Sequence, residues 1–252
     1  MHRGLAAFVV GVVSILCVAG MSAAAEKAAP IRVLMITGDD VAPAHPWREM
    51  SETTRKGLVA TGRFDVKVCE DPGILESASA LKHYDVIAFL IYTRARPEIS
   101  DQAKTNLLNF VKGGKGFVAQ HLASASFAKW DEFGRLCGRK WVMGTSGHGP
   151  REVFTAEIAD KNSPITAGLD ASFKVDDELY AKLQGDAPIQ VLVEAYSDWS
   201  KKTEPLAFTQ SYGDGRVFHH CFGHDGKALS NPTVVKLIAR GVEWAATGKV
   251  AP

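Results

Sequence analysis

The chain has 252 residues, of which 46% are hydrophobic and 23% charged, with 29 Lys plus Arg against 28 Asp plus Glu. This is an ordinary globular composition and enough chain for one large domain or two small ones. The near-zero balance gives no basic face for nucleic acid or for an anionic membrane, and four widely spaced cysteines form no disulfide framework.

Met1-His2-Arg3 is a short basic start, Leu5 to Gly20 is an apolar run, and Ser22-Ala23-Ala24-Ala25 offers small residues for cleavage. Residues 1–25 read as a secretory signal peptide, so a periplasmic or secreted protein is expected, with membrane contact only through that segment. Its removal takes away Arg3 and no acid, leaving 28 basic and 28 acidic residues. Three cysteines then remain, Cys69, Cys137 and Cys221, which allow at most one bridge.

Ile31 to Ile36 is a short apolar, β-rich run that predicts a buried strand. Trp47 to Thr61 has helical spacing and stops at Gly62, and Phe64 to Val68 alternates like a half-exposed strand. A short helix should precede Tyr84 to Ile91, the most apolar strand. Ser100 can cap a helix that ends at Gly113-Gly114. The strand Gly116 to Gln120 runs straight into His121, followed by the small-residue turn Leu122 to Ser126 and a helix-like segment with Phe127 and Trp130. The alternation over residues 31–136 predicts a doubly wound, mostly parallel sheet with helices on both faces.

The second half is richer in strands, with candidates at Glu152 to Ile158, Val191 to Ala195, Leu206 to Thr209 and Arg216 to His220. Asn231-Pro232 pairs a cap residue with Pro at the first helical position, opening a terminal helix with an apolar face at Val234, Val235, Ile238, Val242 and Trp244. No linker or repeat divides the chain, so residues 26–252 read as one domain.

In open α/β sheets, ligands bind outside the carboxyl ends of the strands. His121 ends one predicted strand, and His224 follows the last one. His45 sits in the loop after the first, and His148 lies between two glycines. These four can converge on one crevice from distant points in the sequence. His83 looks like surface, and the adjacent His219 and His220 must face opposite ways in a strand. The run Asp176-Asp177-Glu178-Leu179-Tyr180 suits sugar hydroxyls, acid–base work or a hard metal, although a charge run on its own is more often a solvated loop. Two or more histidines with one carboxylate suit a transition metal. Gly113-Gly114-Lys115-Gly116 precedes a strand and is no phosphate loop, and no Gly-x-Ser-x-Gly elbow occurs.

Several segments together resemble the ThuA-like (trehalose utilisation) family. They are Gly116 to His121 with Ala123-Ser124 and Trp130; Ser163 to Leu169; Asp177 to Tyr180; Gly215 to Phe218 leading to Gly223-His224; and Gly241 to Ala245. The resemblance implies a flavodoxin-like sheet related to the class I glutamine amidotransferases. In those enzymes the elbow carries Cys, with a His-Glu pair completing a triad. Here the elbow position holds His121 and the His-x-Glu pairing is absent, so amidotransfer is not expected.

The resemblance further implies carbohydrate metabolism, with hydrolysis, elimination or isomerisation of disaccharides or keto-sugars. On that basis His121, Glu178 and His224 are expected to carry the chemistry and to hold any divalent transition metal such as zinc. His45, His148, Trp130 and Tyr180 are expected to bind the sugar. A non-catalytic carbohydrate-binding module using the same cleft is the alternative.

Overall fold

The computed structural model describes residues 1–2, 29–38, 45–93 and 98–251, so nearly all of the expected signal peptide lies outside the described residues. The elements follow in chain order: β1 (Ile31–Ile36), α1 (Trp47–Ala60), β2 (Phe64–Cys69), α2 (Ala78–Leu81), β3 (Val86–Phe89), α3 (Asp101–Lys112), β4 (Gly116–Gln120), α4 (Asp131–Cys137), β5 (Gly147–His148) and β6 (Glu152–Ile158). After them come β7 (Ser172–Asp177), β8 (Tyr180–Ala181), β9 (Gln190–Ser197), β10 (Lys202–Tyr212), β11 (Gly215–His220), α5 (Gly226–Leu229) and α6 (Pro232–Thr247).

Nine strands form one sheet in the order β2-β1-β3-β4-β11-β10-β9-β6-β7, and β5 pairs with β8 in a separate ribbon. The joins from β2 to β11 are parallel and those from β11 to β7 antiparallel, so every strand except β10 and β6 points the same way. The mostly parallel, flavodoxin-like expectation is met in the first half. The antiparallel extension accounts for the strand-rich second half.

The central parallel strands β3 and β4 are buried along their whole length because both of their faces are covered, whereas the edge strand β2 alternates with exposed residues. Val33, Met35, Val86, Ala88, Val118 and Phe218 pack on one side with Leu58 of α1 and Val234, Ile238 and Val242 of α6. Leu34, Ile36, Ile87, Phe89, Phe117, Ala119 and Val217 face the other way, against Leu107 and Val111 of α3 and Phe133 and Leu136 of α4. The period-two switch along each strand sends alternate side chains into two separate cores. Ser100 caps α3 and Asn231 caps α6, each accepting a backbone N–H through its side chain.

The far edge of the sheet turns back toward the centre. Nδ2 of Asn231 donates to the Lys174 carbonyl at 2.8 Å, and Lys227 pairs with Asp176, so β7 lies beside α5. This return places the segment after β7 over the carboxyl ends of β4 and β11. β7 also corrects one expectation: Asp176 and Asp177 belong to a strand, and Asp177 is fully buried rather than part of a solvated loop.

Candidate functional site

Three of the site's histidines leave the carboxyl ends of parallel strands. His121 follows β4 directly, with φ at +50°, a left-handed conformation that a non-glycine residue rarely adopts. The turn from His121 to Ala125 is wholly buried, which explains its small residues. Ser126 anchors it to the end of β3 by donating to the Ile91 carbonyl at 2.7 Å and accepting the Thr93 amide at 2.9 Å. His45 stands just before α1, its carbonyl accepting the Trp47 amide at 2.8 Å. His224 follows β11 after Gly223, whose φ of +125° suits glycine.

Glu178 completes the cluster from the segment after β7. One ligand atom from each of His45, His121, Glu178 and His224 lies within 4.8 Å of the others, a group that could hold a metal ion. Nε2 of His45 is 3.2 Å from both Nε2 of His121 and Nδ1 of His224. The Glu178 carboxylate lies 3.1 Å from His224 Nδ1, 3.5 Å from His121 Nε2 and 3.7 Å from His45 Nε2. A tetrahedron with metal–ligand bonds near 2.0–2.1 Å has edges of roughly 3.3 Å, so the spacing fits a small cation.

The tautomers follow from the partners. Nδ1 of His121 lies 2.6 Å from the Cys221 carbonyl, which can only accept, so Nδ1 carries the proton and Nε2 of the neutral ring is a lone pair. This outer partner orients the ring as metal-ligating histidines are usually oriented. Tyr180 is fully buried, stacks on His121 with centroids 4.3 Å apart, and donates its hydroxyl to that Nε2 at 2.9 Å.

Burial raises the Glu178 carboxyl, but the imidazoles of His121, His224 and His45 around it outweigh that and hold the group well below the usual carboxylate range. His45 is pushed down chiefly by burial, whereas the bond to Glu178 pushes His224 up. Burial drives the Tyr180 hydroxyl well up, with the Glu178 charge adding to it, so the hydroxyl keeps its proton.

Asp177, which the sequence places in the acidic run without a role of its own, fixes this arrangement. Its Oδ2 accepts the Gly223 amide at 2.7 Å, and its Oδ1 accepts the amides of Glu178 at 2.9 Å and His224 at 3.0 Å. Burial raises the carboxyl, and the three amides oppose that rise.

The other expected residues divide. His148, on β5 opposite Tyr180 of β8, brings its Nε2 to 3.5 Å from Glu178 and is the most exposed ring of the group. Trp141 lies beside the cluster, with its ring 4.6 Å from that of Tyr180. Trp130 is not brought to the cluster. It packs on Phe127 and Phe133 beneath Lys104, at the margin of the α3–α4 core. His219 and His220 are fully buried in β11. His220 has the His-x-x-x-His spacing to His224, but it lies in the strand and only His224 reaches the cluster. Cys69, Cys137 and Cys221 are free thiols.

The sequence matches the family described as trehalose utilisation, ThuA, over residues 32–245. The chain belongs to the ThuA family. Among solved structures it is similar to a ThuA-like protein from Parabacteroides merdae, with 29% identity and a TM-score of 0.77 over 89% of this chain and 92% of that one. A second ThuA-like protein, from Bacteroides uniformis, shares 19% identity with a TM-score of 0.70, covering 92% of this chain and 98% of that one. A cold-adapted β-galactosidase from Rahnella shares the fold alone, at 14% identity and a TM-score of 0.59, over 86% of this chain and 31% of that one. No curated protein matches the chain. As a ThuA-family chain it carries the family's association with carbohydrate metabolism.

Proposed function

We propose that this ThuA protein is a periplasmic or secreted enzyme that acts on disaccharides or keto-sugars, with a divalent transition metal such as zinc held by His45, His121, His224 and Glu178. The observation that carries the reading is the convergence of three imidazole nitrogens and one carboxylate from four separate chain segments. Nε2 of His45 meets two other ring nitrogens at 3.2 Å, and a single proton can satisfy only one of those contacts. Oε2 of Glu178 has no hydrogen-bond partner among the described residues. A cation would satisfy these atoms together, and a nitrogen and oxygen donor set suits zinc better than calcium or magnesium.

When bound, such a cation would polarise a sugar carbonyl or hydroxyl oxygen that entered as a fifth ligand. The chain's own residues supply the rest. His148 donates Nδ1–H to the Gly149 carbonyl at 2.6 Å, which leaves its Nε2 lone pair at the rim to accept a proton from carbon next to a keto group. The half-buried Trp141 offers a ring face to the sugar, and the buried wall of Leu179, Tyr180 and Ala181 limits water. The apolar run from Leu5 to Gly20 supports export.

The test is turnover of trehalose and 3-keto-trehalose by purified chain, with and without chelator, alongside metal analysis of wild type and His121→Ala. Chelator-sensitive turnover of the keto form, with a stoichiometric metal lost in His121→Ala, is expected. Absence of turnover on every disaccharide and keto-disaccharide tried, or turnover indifferent to both changes, removes the reading.

A further inference from the structure

The hydroxyl of Tyr180 and a cation would need the same electron pair. His121 spends its only ring proton on the Cys221 carbonyl, so its Nε2 has one lone pair to offer. In the structure that pair accepts the Tyr180 hydroxyl at 2.9 Å. The two rings are stacked, and Tyr180 is also wedged against Trp141, so the phenol is held in place and only its O–H direction is free to change.

We propose that Tyr180 is a load-dependent hydrogen-bond donor: it donates to His121 Nε2 while that lone pair is free and is released toward a sugar oxygen once a cation takes it. This rests on the metal reading of the four-residue cluster and adds an order to it, with the cation before the sugar. The unloaded protein holds its sugar donor in an internal bond and recognises the substrate poorly. Loading frees a buried donor that has no partner of its own, and a carbonyl or hydroxyl oxygen of the sugar supplies one. Leaving a buried donor unsatisfied is costly, so the freed hydroxyl favours ligands with an oxygen at that point.

The test compares wild type with Tyr180→Phe in the full chain. Affinity for zinc and cobalt is read by competition with a chelating dye, and binding of trehalose and 3-keto-trehalose to the loaded protein by calorimetry. Because the variant loses the competing bond, it should bind the metal tighter by roughly two- to tenfold, while its sugar binding weakens. A purely packing role for Tyr180 would weaken both.

Equal or weaker metal binding, or unchanged sugar binding, overturns the proposal. Should Tyr180→Phe fail to fold, wild type labelled with fluorotyrosine serves instead. Its Tyr180 resonance should move on zinc addition, and a resonance that stays put overturns the proposal. A chain that binds neither zinc nor cobalt removes the metal reading along with this one, whereas failure of the Tyr180 arm alone leaves the metal reading standing.

Discussion

One oxygen of Asp177 accepts the amide of His224 at 3.0 Å and also that of Glu178 at 2.9 Å, so a single buried carboxylate sets the spacing between two members of the cluster. Its other oxygen holds Gly223. The backbone around the site is thus tied across 46 and 47 positions of sequence.

Asp177→Asn should therefore do more than lower stability. The new amide group must aim N–H at one or more backbone N–H groups, which leaves a buried donor unsatisfied. A loss of about 1–3 kcal/mol is expected in urea unfolding. Displacing His224 relative to Glu178 should also weaken metal binding by roughly tenfold or more in chelator competition. Metal affinity equal to wild type in a folded Asp177→Asn protein would show that the cluster does not depend on this clamp.

Acid should destabilise the protein through β11. Burial pushes His219 down to about 4 and His220 down to about 3 from the usual 6.5. The folded state keeps both rings neutral while the unfolded chain takes up protons first. The stability they confer is complete above about pH 6.5 and is lost as pH falls through the folded values. Each ring accounts for on the order of 3 kcal/mol across that window. Urea midpoints should fall between pH 7 and pH 4, and His220→Leu should flatten the fall. Parallel curves for the variant and wild type would contradict the assignment.

Gly241 sits where α6 crosses β11, and a Cβ built there would lie 2.2 Å from the ring of Phe218. Alanine is worth about 1 kcal/mol over glycine inside a helix. That gain is outweighed by overpacking against a fully buried ring, which costs about 1–3 kcal/mol or more. Gly241→Ala should lower the melting temperature, and Phe218→Leu should restore part of the loss when combined with it.

The parallel half was legible because both of its faces are covered. Ile31 to Ile36, broken only by Arg32, and Gly116 to Ala119 read as apolar runs, and strand-end placement pointed to His45, His121 and His224. β7 was not legible. Its sequence, Ser172 to Asp177, ends in acids, and what buries Asp177 is a set of backbone amides, two of them on a distant loop. Trp130, expected at the sugar from the resemblance, lies elsewhere although it is only nine positions from His121. The buried turn after His121 carries the chain to the opposite core, where Trp130 stacks on Phe133. Tyr180 read as a sugar contact, but its bond to His121 depends on a return of the sheet edge that local periodicity does not encode.

The cluster draws on the loops after β1, β4, β7 and β11, and its first and last histidines are 179 positions apart. An unfolded chain has no fragment of this site to offer. Any cation it takes up therefore binds the finished fold and not a precursor, and its binding free energy adds to the stability of that fold. Under that linkage, a cation held by the cluster would lengthen the life of each folded molecule, whatever else it did there.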